Sequence, residues 1–330
     1  MPNHLYNKNS GFARMPAGRK SISTGILLIA FVSCLAQKMP RLEIHFQNDN
    51  DLYLFNRQDQ YYTNGLFFNI RKTVDSTALA PKETNRLWGI TMGQKMYNAY
   101  TAQIHRIEEV DRPITAYLFL AANVDRYFAN ETFLSFTAEI GTIGQRALGR
   151  QFQESIHRVL RLYEIAGWEY QLENAFGLDA SIRYGGLLYR NKRQWFDISA
   201  YTEATLGSNH TSLAASPTFR WGKINPLHQS AHWSGRLQSR NMAVKRELFA
   251  YFRPQLNLVI YDATIQGGLF RRDKGPVTYE PSRWVLSNHF GVTYARNSLT
   301  LNMQYIFNTK ELPGMFFRHQ YGSLGLSYRY

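Results

Sequence analysis

Leu299-Thr300-Leu301-Asn302-Met303-Gln304-Tyr305-Ile306-Phe307 is the stretch whose reading decides the fold. Side chains alternate at period two along an extended chain. Leu299, Leu301, Met303, Tyr305 and Phe307 therefore share one side, and Thr300, Asn302, Gln304 and Ile306 share the other. Near the start, Leu42, Ile44 and Phe46 interleave in the same way with Glu43, His45 and Gln47. Segments of this kind are predicted near 41–50, 61–71, 87–97, 114–123, 132–142, 172–188, 193–206, 210–222, 245–258, 283–296, 298–308 and 318–330. That makes twelve, an even number, as single-chain outer-membrane barrels require. In water such strands would hide the apolar face; in a membrane barrel it meets lipid while the polar face lines the interior. The expected fold is an all-β transmembrane antiparallel up-and-down barrel of about twelve strands.

The two ends of the chain agree. Ser323, Gly325, Tyr328 and Tyr330 fit the polar–x–Gly–x–x–aromatic–x–aromatic ending that barrel-assembly machinery reads, so that machinery is an expected partner during biogenesis. At the other end, Arg19 and Lys20 precede the apolar run Ile26 to Val32, and Ser33, Cys34, Leu35 and Ala36 follow. That order reads as a secretory signal over 1–36, cleaved after Ala36, with the barrel over 37–330. A lipoprotein-type cut before Cys34 is the alternative, and Met15 is a second candidate start. Cys34 is the only cysteine, so the mature chain has no thiol, which excludes disulfides, thiolate zinc sites and Cys nucleophiles.

Composition adds to this. After residue 40 no run of 18 apolar residues occurs, which excludes a helical membrane bundle. Aromatics reach 15%, with 21 Tyr and 21 Phe, a share suited to interfacial girdles. Lys8, Arg14, Arg19 and Lys20 lie in the signal region, and without those four charges the formal +14 becomes +10. A basic exported protein meets anionic lipid headgroups rather than nucleic acid. The expected location is the bacterial outer membrane.

One segment departs from the strand pattern. Residues 147–164 carry helix formers without Pro, predicting one short helix in an extracellular loop. At about 100° per residue Gln153, His157 and Glu164 fall on one polar stripe, while Ile156, Val159, Leu160 and Tyr163 can pack elsewhere. A pore needs no such helix. At the first hairpin, Asp49, Asn50 and Asp51 close one strand and Tyr61-Tyr62-Thr63-Asn64-Gly65 opens the next. Carboxylates, an amide oxygen and a hydroxyl are hard ligands that suit Ca²⁺. The same residues also make an ordinary polar turn.

Asn50-Asp51, Tyr62-Thr63-Asn64-Gly65, Gly93-Gln94 with Met96-Tyr97, Asp111-Arg112-Pro113, Gln153 with His157, and Gly167-Trp168-x-x-Gln171-Leu172-x-Asn174 occur in that order. Together with Gly207-x-Asn209-x-Thr211 this set resembles the lipid A 3′-O-deacylase family of outer-membrane barrels. The resemblance implies a twelve-stranded barrel that hydrolyses the 3′-linked acyloxyacyl chain of lipid A or lipopolysaccharide with Ca²⁺. It implies a site between the barrel wall and a loop helix. His157, Gln153 and Thr63 are then the expected catalytic residues, and Asn50, Asp51, Asp49 and Glu164 the expected metal ligands. The family's helical carboxylate aligns with Tyr163, one step before Glu164. Either Asn48-Asp49 or Asn50-Asp51 can be the matching rim pair, and Leu52 and Tyr53 favour the second.

Two other readings compete. His210 and Ser212 have the His-x-Ser spacing of outer-membrane phospholipase A, which would make Ser212 a nucleophile. A barrel without chemistry, acting as pore or scaffold, would need no Ca²⁺.

Overall fold

The computed structural model of the chain describes residues 41–54, 59–237 and 246–330. The signal expected over 1–36 lies outside the described residues. Twelve antiparallel strands form a closed barrel: β1 (Leu42–Asn50), β2 (Tyr62–Thr73), β3 (Glu83–Tyr97), β4 (Thr115–Phe128), β5 (Thr132–Ile143), β6 (Ala175–Arg190), β7 (Phe196–Gly207), β8 (His210–Lys223), β9 (Glu247–Asp262), β10 (Trp284–Arg296), β11 (Leu299–Asn308) and β12 (His319–Arg329). Each strand pairs with its sequence neighbours, and β1 closes on β12 from Glu43 opposite Arg329 to Asn50 opposite Gly322. Closure leaves no unpaired edge, the condition that hydrocarbon imposes on a sheet.

The alternation read from the sequence sets the two faces. On β11, Leu299, Leu301, Met303 and Tyr305 are exposed, whereas Thr300, Ile306 and Asn308 are buried inside. Comparable exposed apolar residues line every other part of the wall, among them Phe46, Ile90, Leu120, Phe136, Ile182 and Ile260. A soluble protein does not show so large an apolar surface, and a membrane barrel requires it. Five of the connections at the rim reached by Asn50 are long, including the segment between β5 and β6 that holds the helix. Longer loops mark the extracellular side of such barrels.

Ion pairs and part of one loop occupy the lumen and leave cavities between them. Glu43 accepts from Arg71 at 2.8 Å and from Arg329 at 2.9 Å. Arg236 pairs with Glu247 at 3.2 Å, and Arg220 with Asp197 at 2.5 Å, both members of that second pair fully buried. The described part of the connection from β8 to β9 turns inward, and its Leu227, Trp233 and Leu237 pack on Leu87, Tyr127, Phe133 and Tyr201. A twelve-stranded barrel is narrow enough for side chains and one loop to close it.

Asp197 is the centre of this plug, since it also receives Arg190 at 2.9 Å. Asp197→Ala leaves the buried Arg220 without a carboxylate, which costs about 3–5 kcal/mol. Urea unfolding in detergent or liposomes should register a loss of that size. A loss under about 1 kcal/mol would show that lumen water compensates the charge.

Candidate active site on the outer wall

Strand alternation decides which rim residues meet. On β1 it turns Asp49 into the lumen, where Tyr62 donates to it at 2.9 Å and Gln47 at 2.8 Å. Asn50 faces outward, and the chain leaves the strand in a 3-10 turn, Asp51–Leu54, fixed by Leu52 N–H donating to Asn50 Oδ1 at 2.8 Å. On β2 the register shifts between Tyr62, opposite Tyr97, and Asn64, opposite Met96. Thr63 is the extra residue of this bulge. A regular strand would send Thr63 and Asn64 to opposite faces; the bulge lets both line one outer cavity.

The other wall is the helix α1 (Gly149–Leu160), shorter than the predicted 147–164. It lies close to the barrel because Gly149 has no side chain: a Cβ there would sit 2.4 Å from that of Ala116 and 2.6 Å from the Trp168 ring. Gln94 on β3 donates to the Ala147 carbonyl at 2.6 Å, and Trp168 Nε1 donates to Gln153 Oε1 at 2.8 Å. Indole N–H can only donate, so the Gln153 amide orientation is set and its Nε2 is left without an acceptor. The motif residues of the sequence thus divide in role. Gly167, with a positive φ of 111°, and Trp168 hold α1 against the wall, and Asn174 Oδ1 receives Arg146 N–H at 2.7 Å. Asp111 ties three loops together, accepting from Tyr61, Tyr100 N–H and Phe316 N–H at 2.6–2.9 Å.

Between wall and helix lies a cavity of about 530 Å³. Asn50, Asp51, Thr63, Gln153 and His157, five of the seven residues expected from sequence, line it. The remaining two do not. Asp49 is on the opposite face of β1, for the reason given. Glu164 is exposed outside the cavity, because α1 ends at Leu160 and Arg161 adopts a left-handed φ of 52°. The helical projection that put Glu164 beside His157 stops where the helix stops.

Two groups that sequence reasoning passed over complete the site. Beyond Arg161 the chain doubles back, so His157 Nδ1 donates to the Tyr163 carbonyl at 2.8 Å. His157 Nε2 then faces Asp59 Oδ2 at 2.9 Å, and the Tyr163 hydroxyl donates to the same carboxylate. A carboxylate and a carbonyl accept only, so a proton lies between Nε2 and Asp59. Asp59 comes from the first loop, distant in sequence from α1, and no periodicity marked it. Burial and the Asp59 charge raise the Tyr163 hydroxyl well above the usual phenol range.

The wall side of the cavity gathers buried oxygens. Asp51 is 2% exposed, Gln60 N–H reaches its Oδ2 at 2.8 Å, and its Oδ1 has no hydrogen bond. Thr63 Oγ1 is likewise buried without a partner. Burial, then the neighbouring charge of Asp59, pushes the Asp51 carboxyl up to about 8. The rest of the lining is apolar, with Leu52, Met96, Ile156, Leu160 and Leu162. An amphipathic ligand therefore fits, its polar atoms toward Asp51 and His157. By contrast, His210 and Ser212 line a cavity inside the barrel, with His210 Nδ1 held by Asp179 at 3.1 Å and no hydrogen bond to Ser212.

Fold and site together define an outer-membrane β-barrel with a polar, carboxylate-bearing cavity on its lipid-facing wall. The sequence model described as outer membrane protein LpxR matches residues 23–330, and the chain belongs to that family. Among solved structures, LpxR from Salmonella typhimurium superposes with a TM-score of 0.69 at 18% identity, covering 87% of this chain and 100% of that one. The β domain of the Bordetella autotransporter BrkA aligns with a TM-score of 0.46 at 11% identity, over 89% and 99% of the two chains. Comparison with curated protein sequences finds no match.

The Asp51 shift has a measurable sign. Its carboxyl rises from 3.8 to about 8 on folding, so its contribution is full below about pH 4 and lost as pH climbs through 8. In chelator, thermal unfolding should move to lower temperature between pH 5 and pH 9, and excess Ca²⁺ or Asp51→Asn should flatten that slope. An unchanged slope in Asp51→Asn would assign the pH dependence to other groups.

Proposed function

We propose that the chain is an ester hydrolase of the outer leaflet that removes the 3′-linked acyloxyacyl chain of lipid A. The observation that carries this reading is the cavity itself. It opens on the lipid-facing wall and sets the His157–Asp59 pair beside buried oxygens that lack partners. A luminal site would be cut off from a lipid ester; this one opens on the membrane side of the wall.

The donor set fits a hard divalent cation such as Ca²⁺: Asp51 Oδ1 and Thr63 Oγ1 are unpartnered, and Asp59 and Asn50 stand next to them. Bound there, Ca²⁺ would supply positive charge that relieves the Asp51–Asp59 repulsion and polarises the ester carbonyl. The protein's own groups then have distinct tasks. The Tyr163 carbonyl holds the proton on His157 Nδ1, so Nε2 is the basic nitrogen. Once the proton shared with Asp59 has passed to solvent, water replaces the carboxylate at Nε2, and as that water attacks the ester carbon its proton passes to the nitrogen. Gln153, anchored by Trp168, directs its free Nε2–H toward the oxygen on which charge develops. Collapse of the tetrahedral adduct breaks the C–O bond, and His157 returns the proton to the sugar oxygen. The products are the free acyloxyacyl acid and the 3′ alcohol. Arg146, Arg150, Arg158 and Arg161, exposed around α1, suit the phosphates and acidic sugars of the headgroup. In biogenesis, the ending Ser323 to Tyr330 serves as the signal for barrel assembly.

Mass spectrometry of lipid A from cells expressing the protein tests the reaction directly. The wild type should release the 3′ acyloxyacyl group in Ca²⁺, and His157→Ala should cut the rate by about 10²–10⁴. Chelation should act as strongly. Intact lipid A in the wild type, with the barrel shown to be folded, would remove the hydrolase reading and leave the architecture.

A further inference from the structure

On the lipid-facing wall, directly opposed residues form a row across eight adjacent strands. Phe219 pairs with Phe252, Phe252 with Phe290, Phe290 with Tyr305, and Tyr305 with Gly322. Gly322 then pairs with Asn50, Asn50 with Asn64, and Asn64 with Met96, the last three lining the candidate active site. The four aromatic rings are nearly parallel, at interplanar angles of 15°, 20° and 28°, with centroids 6.2, 4.7 and 6.3 Å apart. Beside Phe252, Phe290 and Tyr305 runs a groove of about 770 Å³, completed by Trp221, Val292, Met303 and Leu324. No charged side chain lines it among the described residues.

An interfacial girdle does not account for this row. Girdles follow the membrane plane. This row follows the inter-strand hydrogen bonds, and strands tilted by about 35–45° carry such a line obliquely through the hydrocarbon. Phe219 lies toward the Lys223 end of β8, away from the helix rim, while Asn50 is the last residue of β1 at that rim. From Phe219 to Gly322 the row spans about 19 Å at the usual strand spacing and climbs roughly 12 Å.

Gly322 is the joint between groove and cavity. A Cβ on Gly322 would lie 2.7 Å from that of Tyr53, so its absence lets Tyr53 lie over β12. Tyr53 also donates to Asn48 Oδ1. The Asp51–Leu54 turn therefore presents Asp51 and Leu52 to the cavity and Tyr53 and Leu54 to the groove.

We propose that this aromatic groove holds a hydrocarbon chain of the same lipid molecule whose ester occupies the cavity, and so sets the enzyme's acyl-chain preference. The inference rests on the hydrolase reading above. The occupant follows from adjacency: the groove is part of the membrane-facing wall, and the Asp51–Leu54 turn lines both the groove and the cavity. Parallel rings favour a flexible hydrocarbon chain, which gains contact along its whole length.

The test compares Phe290→Ala/Tyr305→Ala with the wild type on long-chain and short-chain lipid A analogues in Ca²⁺. Folding is checked by heat-modifiable gel migration. The long-chain kcat/KM should fall about tenfold or more, as expected for losing aromatic contact area, and the short-chain value should hold. Native mass spectrometry in a His157→Ala background should show lipid A retained, and lost on adding the double substitution. Equal effects on both chain lengths together with unchanged retention would overturn the proposal. So would a dimer that dissociates on the substitution, which would seat a second copy of the chain in the groove. Should the wild type cleave neither analogue, the hydrolase reading fails, and lipid retention alone decides whether the groove binds acyl chains.

Discussion

Hydrocarbon offers backbone groups nothing to bond with, and the rest of this structure follows from that constraint. Every strand must be paired on both sides, so β1 must close on β12. A closed wall enforces strict alternation, and alternation assigns each rim residue to lumen or lipid with no freedom left over. Asp49 and Asn50 are covalent neighbours, yet one joins the luminal network of Tyr62 and Gln47 and the other faces the membrane. The register also shifts between Glu83 and Asn85, Leu187 and Tyr189, and Thr211 and Ser212, but the bulge at Thr63 is the one that brings two consecutive side chains into the candidate site. A local irregularity in an otherwise rigid wall is consistent with a functional purpose.

The helix is a separate solution to a separate problem. A flat wall cannot enclose an ester, so a second surface must be brought against it. Gly149 permits the close approach, Gln94 and the Trp168–Gln153 hydrogen bond fix it, and Gly167 supplies the left-handed turn that delivers Trp168. The same hydrogen bond orients Gln153, so helix docking and the cavity lining share one residue. The first loop then contributes Asp51 and Asp59 from either end of its path, and burial together with the Asp59 charge raises the Asp51 carboxyl.

Interior and exterior of the barrel have opposite logics. Inside, ion pairs such as Asp197–Arg220 and the inward loop with Trp233 make a plug in the lumen. Outside, the apolar surface remains open to lipid, and both the cavity and the aromatic row lie there. The chemistry of the protein is thus turned toward the membrane.

Much of this was legible in the chain. Period-two alternation located twelve strands within a few residues, because side-chain direction in a strand is set by backbone geometry and needs no partner. The i, i+4 spacing placed Gln153 and His157 on one helix face for the same local reason. Glu164 was misplaced because helix length depends on where the chain finds a cap, here Arg161, and periodicity carries no such information. Asp59 and the groove were beyond reading, since each exists only through the approach of segments remote in sequence. Sequence alone determined the strands, the faces and the helix pair, which are local consequences of backbone geometry. Tertiary structure alone decided which carboxylate meets His157 and which aromatics align into one row, because those depend on register and loop packing around the closed barrel.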